Sequence, residues 1–194
     1  GYPVWLATSV MDRDDVVADI AHAAGYNVYR GSEWDVLGRM AGAANAVGAD
    51  VIVRVTGDCP LLAPDVARDV VALYVKNDFG ITTNDTTCSG WPDGTDVEVF
   101  AAGFLHIAAS VTNDSSAESN PDRFDREHVT PWLRRNIPHH VLPCGENWRG
   151  VKLSVDTEAD LGLVKGIYAE LNGAGFDWSA TRTAYRRILE RSLS

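Results

Sequence analysis

The stretch Val51-Ile52-Val53-Arg54-Val55-Thr56-Gly57-Asp58-Cys59-Pro60-Leu61 decides the fold. A β-branched apolar run followed at once by Gly, Asp and Pro reads as an apolar strand that delivers a carboxylate at its end. Gly57 lets backbone approach a ligand closely, and Pro60 fixes the exit turn. In open parallel sheets the carboxyl edge of the strands is where ligands sit. Taken alone, Asp58 is more often the cap of a helix, here one beginning near Pro64.

Working outward, Val4 to Ser9 is a short apolar run ended by small polar residues, Asp14-Asp15 opens helical spacing from Val16 to Ala21 that stops at Gly25, and Asn27 to Arg30 reads as a second strand. Val36 to Val47 is predicted helical, ending near Gly48. Downstream, Pro64 to Lys76 reads as a helix, Ile81 to Trp91 as a strand entering a turn-rich loop, Asp96 to Phe100 as a half-buried strand, and Ala102 to Ala109 as a helix. Val111 to Asp122, rich in Ser, Asn and Asp, is expected to be the most mobile loop. Next come a helix over Arg126 to Arg135 interrupted by Pro131, a short edge strand at Val141 to Pro143 and a strand from Val151 to Val155. Helices over Asp160 to Leu171 and Ser179 to Leu189 close the chain. This alternation predicts an α/β fold, a mostly parallel sheet flanked by helices. No repeat or linker divides residues 1–194, so a single domain with an irregular excursion at about 86–147 is expected.

Composition narrows the function classes. Seventeen Lys and Arg against 27 Asp and Glu leave a net charge of −10, which disfavours nucleic acid and anionic membrane as partners. Three cysteines, Cys59, Cys88 and Cys144, form neither a disulfide framework nor a C-x-x-C pair and fit a reducing compartment. Gly1-Tyr2-Pro3 lacks signal-peptide character and no apolar stretch reaches membrane length, so a cytoplasmic protein is expected.

A second carboxylate is delivered as Asp58 is: Val151 to Val155 leads to Asp156 and Thr157, ahead of a helix opened by Glu158-Ala159-Asp160. Its plain reading is again a helix cap. Two strands presenting one carboxylate each to the same edge suit a hard divalent cation, which takes one or two carboxylates and completes its shell with water and phosphate oxygens. Asp96 and Glu98 share one face of their strand; two like charges side by side call for a cation, an arginine or a hydroxyl-rich ligand. Arg39 shares a helical face with Asp35 and either reaches a ligand or pairs with Asp35. Asp125-Arg126-Glu127-His128 is either a solvated helix start or a binding cluster. His139-His140 reads as surface loop, Trp5 and Trp132 as core, and Trp91, in its Gly-Trp-Pro loop, as the aromatic that meets a ligand or a partner chain.

Five motifs occur in one order: Gly31-Ser32-Glu33-Trp34-Asp35-Val36-Leu37-Gly38-Arg39, Thr56-Gly57-Asp58-Cys59-Pro60-Leu61, Asp96-Val97-Glu98-Val99-Phe100, Asp125-Arg126-Glu127-His128-Val129-Thr130-Pro131 and Val155-Asp156-Thr157. Together they resemble the cytidylyltransferase-like proteins of spore-coat polysaccharide biosynthesis, relatives of the synthetases that make CMP-activated sialic acid and KDO. The resemblance implies a nucleotide-diphospho-sugar transferase fold and transfer of a CMP group from CTP to a sugar or sugar-acid acceptor, with release of pyrophosphate. It implies Mg2+ on Asp58 and Asp156 as the catalytic pair, nucleotide contacts from Thr8, Ser9, Arg39 and Gly57, and acceptor contacts from Asp96, Glu98, Arg126 and His128. It also implies a homodimer that uses the 86–147 excursion. The family opens with a further strand and a basic phosphate loop that have no counterpart ahead of Val4, so the sequence is expected to be a piece of a longer one. The rival readings are a glycosyltransferase of the same fold, for which the D-x-D signature is missing, and a non-catalytic interaction subunit.

Overall fold

Trp5–Ser9 (β1) and Asn27–Gly31 (β2) pair in parallel with Ser9 opposite Gly31, and Val10 N donates to Gly31 O at 2.9 Å, so both strands end side by side. A computed structural model describes residues 2–77, 79–85, 89–114, 116–173 and 176–192. Thr86, where the expected excursion starts, and Cys88 lie outside the described residues. The chain divides into two compact units: Gly1–Ile52 with Ala101–Pro138, and Val53–Phe100 with His139–Ser194.

In the first unit, Asp15–Ala23 (α1) follows a 3-10 turn at Asp12–Asp14 and packs on β1 and β2. Val36–Val47 (α2) has the bounds its sequence predicts, because both ends are locally encoded. Asp35 accepts a hydrogen bond from Gly38 N at 2.8 Å as N-cap, and Gly48 takes the left-handed conformation (φ 66°) that ends the helix. A Cβ on Gly38 would collide with the Asp35 carboxylate, so the cap requires glycine at that position. The small residues Ala41, Ala43 and Ala44 are buried on α2, which packs against Ala102–Val111 (α4) and Arg123–His128 (α5). The single helix expected over Arg126 to Arg135 is two. Val129, fully buried with φ 72°, breaks it, and Pro131 starts Pro131–Asn136 (α6) at its first turn. A positive φ is unusual for a β-branched residue; here Val129 N still donates to Asp125 O at 2.9 Å. The loop expected to be most mobile is tied at its base, with Asn113 N donating to Asp122 and Asn120 Nδ2 to Asn113 O.

Val51–Arg54 (β3), Ile81–Thr83 (β4), Glu98–Ala101 (β5) and His139–Val141 (β6) form a sheet of order β3-β5-β4-β6, in which β4 runs antiparallel to β5 and parallel to β6. His139 and His140 therefore belong to a strand and not to a loop. Within the second unit, Pro64–Asn77 (α3) buries Val70 against Val97 and Val99. A larger core joins Leu61, Val66, Leu153 and Ile167 to Trp148 and Trp178, with contributions from Glu158–Leu171 (α7) and Trp178–Ser192 (α8). Each such aliphatic side chain taken from water contributes about 1.5–3 kcal/mol. Trp91 is part of this packing: its ring lies 5.3 Å from that of Trp178, and its Nε1 donates to Leu142 O at 3.0 Å. Trp91 is thus half-buried, with one part of its ring packed against Trp178. Within 86–147 the described residues include β5, α4, α5, α6 and β6, joined by irregular segments and divided between the two units.

Candidate active site

Three turns of the second unit are knitted together. Val155 N donates to Asp58 O at 2.8 Å, which sets the turn carrying Asp58 beside the one carrying Asp156. Asp93 N donates to Val151 O at 3.1 Å, Leu153 N to Asp93 O at 2.8 Å, and Ser154 Oγ to the Asp93 carboxylate at 2.7 Å. Gly94 has φ 96°, and a Cβ there would strike the backbone of Leu153 and Ser154, so only glycine lets the 93–96 turn lie this close. Val151 to Val155 is thus not the strand its composition predicts. Its ladder reduces to one parallel bridge between Lys152 and Asp93, because the partner chain is a turn.

Gly57, Asp58 and Asp156 are exposed, and a Cβ on Gly57 would meet nothing within 4 Å, so the backbone there is open to an incoming group. Among the described residues, Asp58 Oδ1 takes only a weak contact from Cys59 Sγ at 3.6 Å. Asp156 pairs with Lys152 Nζ at 2.7 Å, and Lys152 also reaches Asp160 at 2.5 Å. Asp160 completes a capping box with Thr157 at the start of α7, so capping is done by Thr157 and Asp160 and the Asp156 side chain is left for other work.

Of the two acidic residues on β5 and its approach, Glu98 is buried and paired with Arg54 at 2.6 Å, which is the arginine that the like-charged pair called for. Asp96 accepts one hydrogen bond, from Gly94 N at 3.3 Å, and has no cationic partner among the described residues. Burial, reinforced by the charges of Asp85, Asp93 and Glu98, pushes the Asp96 carboxyl up to about 7. Burial likewise pushes the Cys59 thiol up to about 12, with Asp58 and Asp96 both adding to it, so Cys59 stays protonated beside the site. Because the folded-state value of Asp96 lies above the unfolded one, its protonation favours the native state, and stability is lost as pH rises from about 4 to about 7. Asp96→Asn is therefore expected to stabilise the fold at pH 8 by on the order of 1 kcal/mol, which raises the thermal midpoint there, and to leave the midpoint nearly unchanged at pH 4. Thermal melts at the two values check this; an equal shift at both would assign the effect to something other than the charge.

The first unit holds the other sequence-selected residues. Thr8 Oγ1, Ser9 Oγ and Ser9 N all donate to Asp14, and the Ser9 bond holds the Asp14 carboxyl below its ordinary range. Arg30 closes the same turn by donating to Ser9 O and Met11 O and pairing with Asp15. Arg39 does not pair with Asp35: it donates to Ser32 O at 2.6 Å, and burial lowers its pKa against the opposing charges of Asp14 and Asp35. Asp35 pairs instead with Arg126 at 3.0 Å, and Arg126 also donates to Ala109 O at 2.7 Å and Thr112 O at 2.6 Å. Arg126 is 7% exposed, so its guanidinium fastens α2, the end of α4 and α5 to one another. His128, two residues on, is exposed and packs its ring 4.4 Å from Phe124. Asp58, Gly57, Asp156, Asp96 and Glu98 thus gather in the second unit, and Thr8, Ser9, Arg39, Arg126 and His128 lie in the first. Sequence reasoning passed over Asp14, Arg54, Asp93 and Lys152; only Lys152, four residues before Asp156, carried a local signal, its spacing to an acidic partner.

Comparison with known proteins decides the family. The cytidylyltransferase family model matches residues 2–142. The chain belongs to the cytidylyltransferase family. It is 30% identical over 168 residues to the spore coat polysaccharide biosynthesis protein SpsF of Bacillus subtilis, covering 84% of this chain and 65% of that protein. It is 29% identical over 163 residues to an uncharacterized protein of Methanocaldococcus jannaschii, covering 81% of this chain and 62% of that one. The chain therefore spans a little under two thirds of the length of these relatives. A cytidylyltransferase structure from Leptospira borgpetersenii superposes with a TM-score of 0.82 at 25% identity, over 97% of this chain and 76% of that one. A CMP:2-keto-3-deoxy-manno-octonic acid synthetase complexed with CTP shares the fold, with a TM-score of 0.57 at 13% identity over 87% of this chain and 81% of that one. The expected nucleotide-diphospho-sugar transferase fold is thereby borne out, and no helix among the described residues is long and apolar enough to cross a membrane.

The donor set at Asp58 and Asp156 fits a magnesium ion of the kind held mainly by nucleotide. Asp58 and Asp156 are exposed carboxylates on adjoining turns, and no group of three or more His, Cys, Asp or Glu able to hold a metal occurs among the described residues. Oxygen donors few in number, with the remaining positions left to phosphate and water, suit magnesium better than zinc or calcium.

Proposed function

We propose that this chain carries the site at which a CMP group passes from CTP to a sugar or sugar-acid acceptor, with release of pyrophosphate, in the biosynthesis of a surface polysaccharide or glycoconjugate. The observation that carries the reading is the 2.8 Å bond from Val155 N to Asp58 O, which brings the two carboxylate-bearing turns together. Family membership and the likeness to SpsF support it.

Asp58 and Asp156 would hold Mg2+, which when bound supplies positive charge to the triphosphate and acidifies the attacking oxygen. The exposed backbone at Gly57 admits the phosphates. An acceptor hydroxyl attacks the α-phosphorus in line and the bond to the β-phosphate oxygen breaks, so the chain's task is alignment and not covalent chemistry. Asp96, half-buried and lacking a cation, is suited to accept a hydrogen bond from the acceptor, and Glu98, fixed by Arg54, lines the same face. Thr8, Ser9 and Arg39 are the first unit's proposed nucleotide contacts, and His128 its exposed candidate for the acceptor; the homodimer belongs to the same reading. Thermal melts with each nucleotide and magnesium test it. CTP is expected to raise the midpoint more than ATP, GTP or UTP does, because a ligand of the native state adds RT ln(1 + [L]/Kd) to stability. Equal shifts with all four would remove the cytidine reading.

A further inference from the structure

We propose that Lys152 is an exchangeable counter-ion of the Asp58 and Asp156 pair: without a divalent cation its ammonium holds Asp156, and when a cation arrives it withdraws to Asp160. The inference rests on the magnesium reading above. Lys152 Nζ lies 2.7 Å from Asp156 Oδ2 and 2.5 Å from Asp160 Oδ2, so it touches both carboxylates at once. The two are not equivalent. Asp160 is fixed, accepting from Thr157 N and Thr157 Oγ1, each at 2.9 Å, and from Asp156 N at 3.1 Å, and its side chain is 19% exposed. The Asp156 side chain is 60% exposed, and Lys152 is its only partner among the described residues. Lys152 can therefore release Asp156 without losing its charge partner, while a metal that takes Asp156 Oδ2 displaces Lys152 from it. Among the described residues no cation contacts Asp58, whose carboxylate meets Cys59 there. A cation thus enters freely at Asp58 and in competition at Asp156. An ammonium in that position opposes a bare dication and favours one that arrives on a negatively charged nucleotide.

The test is a titration of the full chain with MnCl2 alone, free manganese being read by electron paramagnetic resonance. Lys152→Gln, which removes the charge and shortens the side chain by one atom, is expected to bind Mn2+ about two to five times more tightly than the wild type, the range an exposed ion pair supports. Lys152→Arg should bind as the wild type does, and Asp156→Asn more weakly. If Asp156→Asn weakens binding and Lys152→Gln leaves it unchanged or weaker, the role of Lys152 is overturned and the metal reading stands. If neither the wild type nor Lys152→Gln binds Mn2+, there is no bare cation for Lys152 to exchange with and its role is overturned, while the magnesium reading is decided by titration with CTP.

Discussion

Asp58→Asn and Asp156→Asn are each expected to lower pyrophosphate release from CTP by at least roughly a hundredfold, about 2.7 kcal/mol of barrier, with little change in the thermal midpoint. Asparagine keeps the volume and one carbonyl oxygen of aspartate and loses the anionic oxygen that a hard cation needs. The fold tolerates the change for separate reasons at the two positions. At residue 58 it is the backbone carbonyl that accepts from Val155 N, and the side chain is exposed, so the knit of the turns survives. At residue 156 the loss is one exposed contact with Lys152, worth about 0.2–1 kcal/mol, and Lys152 keeps Asp160. If both residues were caps, asparagine would serve almost as well and activity would persist. Release near the wild-type rate in either variant would return that residue to a structural role.

Arg126→Ala is expected to be the most destabilising single substitution at the sequence-selected residues, costing about 3–5 kcal/mol, the usual cost of stranding one member of a buried ion pair. The change leaves the Asp35 carboxylate, whose side chain is 19% exposed, without its cation, and unpairs the carbonyls of Ala109 and Thr112. Arg126→Lys should recover little, because an ammonium cannot span the carboxylate and two carbonyls that the planar fork meets. Denaturant unfolding reads the result. A variant as stable as the wild type, with weakened acceptor binding, would instead favour the direct acceptor contact that the resemblance implies.

The elements that sequence rendered well are those whose signals are local. The bounds of α2 follow from Asp35 and Gly48, and β3, which ends at Arg54 ahead of the turn carrying Asp58, follows from its valines. What sequence could not render depends on residues far apart. Arg126 and Asp35 are 91 positions apart, so nothing local told a binding arginine from a fastening one. Arg54 and Glu98, 44 positions apart, settle which of the proposed partners answers the acidic strand. Val151 to Val155 has strand composition, yet pairing depends on the partner, and the partner is a turn closed by Gly94. Trp91 gave no hint of Trp178, because a ring's exposure is set by which helix returns to cover it.

The central claim is that Asp58 and Asp156 act on one ion. It is tested most directly by calorimetric titration of CTP with magnesium into the wild type, the two asparagine variants and their double variant. If both residues hold the same cation, either substitution removes most of its hold, and the double variant binds CTP little more weakly than the weaker single one. Losses that simply add, or single variants that bind as the wild type does, would show two independent residues and contradict the account.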